Sequence, residues 1–331
     1  MWLSDFRMVL PDRVIERGSL RIEAGRIAEL SEIPVAGGAP GDGLLLLPGF
    51  VDIHGDMIEQ EIEPRPRVDM PMALALRSLD TRLAAAGVTT AYAAVSFTAG
   101  ASNNAPRSFE HTSRIIRELH AAKPLLRVDH KVHARFDITF SHALQVMEAL
   151  IADGTVDLIS LMDHTPGQGQ YRDIERHVCN VAHMRGVHFS EAERLVQKKI
   201  RDRARPAEIL SDTLNRISAL CREKGVAMAS HDDDTLAKVA LMDGLGVKIS
   251  EFPVTEEAAR AAQSRGLATA MGAPNALRGG SYSGNLAARA AHAAGILDIL
   301  AADYHPGAIL PALLVLAKSD SNGVPGAVRL A

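Results

Sequence analysis

With 331 residues, 47% of them hydrophobic, the chain can bury one large core, and a formal net charge of -4 is too small for an extended nucleic-acid-binding or membrane-binding face. Cys179 and Cys221 are the only cysteines, which excludes a disulfide framework and a thiolate zinc site and fits a reducing compartment. The opening "MWLSDFRMVLPD" lacks the apolar core of a signal peptide, and no apolar run approaches the ~18 residues of a spanning helix, so a cytoplasmic location is expected.

Residues 1–47 hold short β-like pieces, "RMVL", "VIERGSLRIEAG" and "RIAELSE", broken by Pro11, Gly18, Gly25 and "VAGGAPGDG". They predict a small β-sandwich-like domain. From Leu44 onward apolar strands alternate with amphipathic helices. Strands are expected at "LLLLPGFVDIH", "TTAYAAVSF", "LLRVDHKVHARFD", "VDLISLMDH", "GVAMASHD", "VKISEFPV", "LATAMGAP" and "ILDILAADY". Helices are expected at "MALALRSLDTRLAAAG", "SHALQVMEALIADG", "ILSDTLNRISALCREKG" and "SGNLAARAAHAAG". Eight strands alternating with helices predict an α/β fold, a (β/α)8 TIM-like barrel over 48–331. A doubly wound sheet is the alternative, but no glycine-rich dinucleotide fingerprint follows the first strand. The charged stretch near 166–206, with "SEAERLVQKKIRDRAR", predicts a helical insertion, either a solvated face or a substrate lid.

In such a barrel chemistry sits at the C-terminal strand ends, and polar residues fall there repeatedly. An extended strand points His54 and Asp56 to one face, the spacing of two metal ligands on a rigid platform, with Glu59 just beyond. The third strand carries His133, Arg135 and Asp137 at same-face spacing. Asp163 and His164 end the fourth, His231 and Asp232 to Asp234 the fifth; Glu251 lies on the sixth and Asp303 ends the eighth. Each has a plain alternative: Asp163 or Asp232 as a helix cap, His164 as a satisfied core histidine, Asp303 as a turn former. Together they have the donor chemistry of a hydrolytic zinc, manganese or iron site, and carboxylates crowded into one pocket repel unless a cation neutralises them. Anion binders are also present. "RGGS", Arg278 with Gly279, Gly280 and Ser281, precedes "SGNLAARAA", so a loop leading into a helix N-terminus is expected to cradle phosphate. Arg65 and Arg67 follow the first strand, and Lys131 and Arg135 flank His133; these cations either meet phosphate or pair with neighbouring acids.

The ordered set "PGFVDIHGD", "SLMDHTPGQ", "ASHDD", "EFPVT", "MGAPNALRGGSYSGN" and "DILAADY" resembles the amidohydrolase superfamily of metal-dependent hydrolases, from Gly25 onward. "MDHTPGQ" and "GAPNALRGGSYSGN" resemble one branch of it, which cleaves a ribose 5-triphosphate bearing methylphosphonate at its first carbon to the 5-phosphate and diphosphate, in the carbon-phosphorus lyase route of phosphonate use. The resemblance implies a divalent metal, zinc with manganese or iron as alternatives, as one or two ions. It implies His54, Asp56, His164, His231 and Asp303 as ligands, Asp137 as the bridging carboxylate and Asp303 as the group that deprotonates water. Glu59, His133, Asp163, Asp232 and Glu251 would orient those ligands. The implied partner is a small phosphorylated sugar, with no nucleic acid and no membrane, and self-association is left open. It also implies strands beyond Ala331 that complete the β-domain. Two other functions stay open: an amidohydrolase cleaving a C–N bond, as a deacetylase or cyclic-amide hydrolase does, and a catalytically silent scaffold subunit.

Overall fold

The structure, a computed structural model, describes residues 1–65, 68–97, 108–281 and 283–331, with the backbone only at 141 and 142. The N-terminal segment is one five-stranded sheet of β1 (Trp2–Val9), β2 (Val14–Glu23), β3 (Arg26–Ser31), β4 (Ala39–Pro40) and β5 (Leu45–Leu46). β1 to β3 form an antiparallel meander, while β4 and β5 join β1 in parallel. Met8, Ile15 and Leu20 make its small core. The leucine run therefore divides: Leu45 and Leu46 belong to this sheet, and the barrel begins after Pro48 and Gly49, where a residue lacking N–H and a flexible one end the pairing.

Eight parallel strands make the barrel: β6 (Phe50–Gly55), β7 (Val88–Phe97), β8 (Asp129–Asp137), β9 (Leu158–Met162), β10 (Ala227–His231), β11 (Ile249–Glu251), β12 (Ala268–Gly272) and β13 (Ile299–Ala301), paired in chain order. The first and last meet through a bridge between Gly55 and Asp303, with Asp303 N–H donating to the His54 carbonyl and Asp56 N–H to that of Asp303, each at 2.8 Å. A nearly closed barrel results, as the eight apolar runs predict.

Helices cover the strands. α1 (Met57–Ile62) and α2 (Met72–Ala85) follow β6, α3 (Phe109–Ala122) follows β7, and α4 (Ser141–Ala152) follows β8. α5 (Ile174–Arg185), α6 (Phe189–Arg203) and α7 (Ala207–Lys224) follow β9; α8 (Leu236–Leu245), α9 (Glu256–Ser264), α10 (Ala273–Arg278) and α11 (Ala288–Ala293) alternate with the later strands; α12 (Ile309–Leu316) and α13 (Gly323–Val328) close the chain. Local chemistry sets several ends: Thr235 and Thr255 cap α8 and α9 through their hydroxyls, and Gly225 and Gly246 end α7 and α8 at positive φ. The expected insertion is the α5–α6 pair, packed on its own core of Val178, Ala192 and Val196.

One expectation is corrected. "SGNLAARAA" does not begin a helix after "RGGS": Gly279, at φ +83°, ends α10, and α11 starts only at Ala288. Leu286 N–H bonds to the Val254 carbonyl at 3.0 Å and Asn275 Oδ1 takes Ala288 N–H at 3.0 Å, so residues 286–288 are tied to neighbouring segments before the helix begins. Among the described residues no helix is long and apolar enough to cross a membrane.

Candidate active site

Five of the barrel strands aim imidazoles or carboxylates into one space. The inward positions of β8 form a column, His133, Arg135 and Asp137, by the two-residue period of a strand. His54, on β6, stands edge-on to His133, with ring centroids 4.9 Å apart. Between them lies Glu251 of β11. Its Oε1 is 3.1 Å from His54 Nδ1, and its Oε2 accepts the Ser160 hydroxyl at 2.8 Å and faces His133 Nε2 at 3.6 Å. The His133 Nδ1–H donates to the Ile53 carbonyl at 3.0 Å, which turns Nε2 inward. A second cluster adjoins: Asp232 Oδ2 is 3.1 Å from His231 Nδ1 and 3.5 Å from His164 Nε2. His231 links the two, with ring centroids 5.6 Å from His54 and 5.4 Å from His164.

These donors lie close enough together to hold a cation. In each triad, His54–His133–Glu251 and His164–His231–Asp232, one ligand atom per residue lies within 4.8 Å of the others. His133 Nε2, His164 Nε2, both ring nitrogens of His231 and Asp232 Oδ2 are buried with no hydrogen-bond partner among the described residues. Buried polar atoms are rarely left so, and five in one place fit the coordination of divalent ions by nitrogen and oxygen.

Without an ion the charges compensate one another. Burial works against a protonated His54, but Glu251 and Asp56 outweigh it and raise the ring to about 10. Burial lowers His133 to about 4. Glu251, which burial alone would raise, is drawn down to about 2 by His133 and His54. Asp232 is likewise held well below the carboxylate range by His231 and His164, against the cost of burial. Asp56 is held low, again against burial, chiefly by Arg135, whose Nη1–H donates to it at 2.8 Å. Asp303 moves the other way, its proton affinity raised by burial and by Asp56.

Over this centre opens a cavity of about 310 Å³, whose wall includes Asp56, Arg135, Asn275, Arg278, Ser281 and Asp303. Arg278 is steadied by a 3.0 Å bond to the Tyr304 hydroxyl.

No known sequence-family profile matches the chain. It is 35% identical, over 338 aligned positions that cover 100% of it and 87% of the relative, to the alpha-D-ribose 1-methylphosphonate 5-triphosphate diphosphatase of Escherichia coli (strain K12). The chain belongs to this family. Solved structures agree at the level of fold. N-acetyl-D-glucosamine-6-phosphate deacetylase from Mycobacterium smegmatis superposes with a TM-score of 0.62 at 14% identity, over 100% of this chain and 88% of that one. The 5-methylcytosine deaminase from Klebsiella pneumoniae gives 0.59 at 14% identity, over 95% and 79%.

Set against the sequence expectations for a member of the diphosphatase family, the structure brings His54, Asp56, His164, His231 and Asp303 to one end of the barrel. Asp137 is a correction. Its Oδ1 accepts from the Thr139 hydroxyl and N–H, and its Oδ2 accepts from Arg203 at 2.8 Å, so both oxygens are engaged and it stands in neither triad. The carboxylate between two histidines is Glu251. His133, Glu251 and Asp232, expected only to orient ligands, themselves stand in the triads. The signal for Glu251 was its place at the C-terminal end of a short barrel strand, where such a barrel keeps its chemistry. Asp163 caps its own turn through Thr165 N–H at 2.9 Å, and Glu59 accepts Ser96 N–H at 3.3 Å; neither lines the cavity. Of the "RGGS" residues, Arg278, Gly280 and Ser281 line it and Gly279 does not. Arg65 is exposed outside the cavity, and Arg67 lies outside the described residues.

Proposed function

We propose that the chain hydrolyses a ribose 5-triphosphate carrying methylphosphonate at its first carbon, releasing the 5-phosphate and diphosphate. The supporting observation is the juxtaposition of two triads of metal-binding donors with a cavity whose wall carries Arg135 and Arg278. A volume of about 310 Å³ suits a phosphorylated sugar, and guanidiniums favour its phosphate oxygens. Divalent ions in the triads, zinc in the first instance, would supply a Lewis acid and lower the pKa of water near the scissile phosphorus.

The chain's own residues do the rest. The water oxygen bonds to the first phosphorus, the bond from that phosphorus to the oxygen bridging it to the second breaks, and diphosphate leaves carrying that oxygen. Asp303 takes the water proton: it lines the cavity, is partly buried, and has a raised affinity for a proton. Its backbone is pinned on both sides by His54 and Asp56, which fixes the carboxylate relative to the first triad. Arg278 orients phosphate, and Asp56 holds Arg135 across the cavity floor. A C–N hydrolase is the alternative, since fold neighbours include a deacetylase; the cationic wall favours the triphosphate. Phosphorus NMR of metal-loaded protein with a ribose 5-triphosphate analogue tests the reading. Diphosphate and a 5-phosphate are expected; single phosphate release, or no turnover alongside hydrolysis of an N-acetyl sugar, excludes it.

A further inference from the structure

The inner face of α6 carries Ala192 and Val196, buried against Val178, and the next positions on that stripe are Lys199 and Arg203. A lysine that continues an apolar stripe is out of place, because a half-buried ammonium loses hydration and needs a counter-charge. Lys199 has none. Among the described residues no carboxylate lies within ion-pair distance of its Nζ, whose partner is the Tyr171 ring, 5.3 Å to the centroid. Its neighbours make matters worse: Arg203 and Arg185 repel it, and only Asp137, already paired with Arg203 at 2.8 Å, attracts it. Tyr171 lies tilted against the buried His177, ring centroids 4.2 Å apart, and burial and Lys199 lower that imidazole's affinity for a proton.

The excess charge adjoins the reacting centre. Tyr171 is 6.3 Å, ring to ring, from His164 of the second triad. Asp137, which holds Arg203, is the outermost residue of the β8 column that runs through Arg135 to His133. Arg203 also lies over the Phe140 ring at 5.0 Å, fixing its guanidinium at the rim between β8 and β9. The α5–α6 pair thus brings an ammonium to the Tyr171 ring, which is itself the neighbour of His164, just outside the lining of the cavity that Arg278 shares.

We infer that Lys199, supported by Arg203, binds the outer two phosphates of the substrate, so that the insertion makes the site selective for a triphosphate over a monophosphate. This rests on the triphosphate reading above. The geometry gives the α5–α6 pair a task its own core does not explain: presenting the Lys199 ammonium, held apart from carboxylates because Asp137 is taken by Arg203, to the leaving diphosphate while Arg278 serves the sugar side. Lys199 is a positioning residue for that leaving group.

The test uses full-length protein saturated with divalent metal, the ion held in excess. Binding of inorganic triphosphate and of inorganic phosphate is measured by calorimetry for the parent, Lys199→Met and Lys199→Arg. Methionine keeps the stem against Tyr171 and removes the charge. Lys199→Met is expected to weaken triphosphate by about 10-fold to 100-fold and phosphate by less than about 3-fold, with metal content unchanged and Lys199→Arg near the parent. With a ribose 5-triphosphate analogue, KM should rise by a similar factor, more than kcat falls. Equal triphosphate affinity in Lys199→Met and the parent overturns the inference while leaving the triphosphate reading intact. Equal weakening of both anions also overturns the claimed selectivity. A parent that binds neither triphosphate nor its ribose ester overturns both readings.

Discussion

Glu251 and Asp137 make the sharpest contrast at the scale of single residues. Both are buried strand-end carboxylates, but one stands between two imidazoles and the other is bound by a threonine and an arginine. Glu251→Gln should therefore lower metal content at least tenfold by elemental analysis, whereas Asp137→Asn should leave it unchanged and lower the unfolding temperature by loosening Arg203. Sequence could not separate them, because alternation says which face a residue takes and not which neighbour reaches it. The run Asp232 to Asp234 hid a similar division. Asp232 joins the second triad, Asp233 takes the hydroxyls of Ser230 and Ser250 at 2.5 Å each, and Asp234 accepts Gly169 N–H at 2.7 Å. His54 yields a prediction about pH. In metal-free protein its pKa is raised to about 10, so its stabilising contribution is complete below the ordinary value of 6.5 and is lost as pH rises through about 10. A ligand imidazole must give up that proton, so metal affinity should climb about tenfold per pH unit over the same window, with about one proton released per ion in that triad. Calorimetry in buffers of different ionisation enthalpy measures the release; none at pH 8 would show that the ring is already neutral.

The scale of elements is where the sequence was most legible. Each of the eight apolar runs became a barrel strand, since strands buried on both faces leave continuous hydrophobic stretches that few other structures explain. The exception, the late start of α11, came from bonds between Leu286 and Val254 and between Ala288 and Asn275, tertiary contacts that no local propensity encodes. The end of β12 offers a test. A Cβ at Gly272 would come within 2.7 Å of Asp303 Oδ2, and the backbone there, at φ -76°, accepts any residue. Gly272→Ala should therefore push the Asp303 carboxylate aside without straining the strand. If Asp303 is the proton acceptor, the substitution should cut kcat by about 10-fold to 1,000-fold, approaching Asp303→Asn, with KM and metal content nearly unchanged. A variant as active as the parent would leave Asp303 without that role.

For the whole molecule, metal and barrel closure are one problem. The first and last strands meet at His54, Gly55, Asp56 and Asp303, and Asp52 adds to the seam by accepting N–H groups of both His54 and Ala302. An ion gripped by donors from β6, β8 and β11 therefore binds only while the barrel is shut, and ions that bind the folded state alone stabilise it by mass action. The two cysteines report this separately. Cys179 is exposed on α5, whereas Cys221 is fully buried on α7 against the barrel, its thiol raised to about 12 by burial. A thiol reagent should modify Cys179 at once and Cys221 only when the barrel opens, giving one fast and one slow thiol in native protein and two fast ones in denaturant. Metal at about 100 times its dissociation constant adds about 2.7 kcal/mol, so labelling of Cys221 should slow by roughly 100-fold while that of Cys179 keeps its rate. Cys221 modified equally fast with and without metal would mean that α7 can leave the barrel without disturbing the triads, and that the ions do not tie the seam to the global stability of the fold.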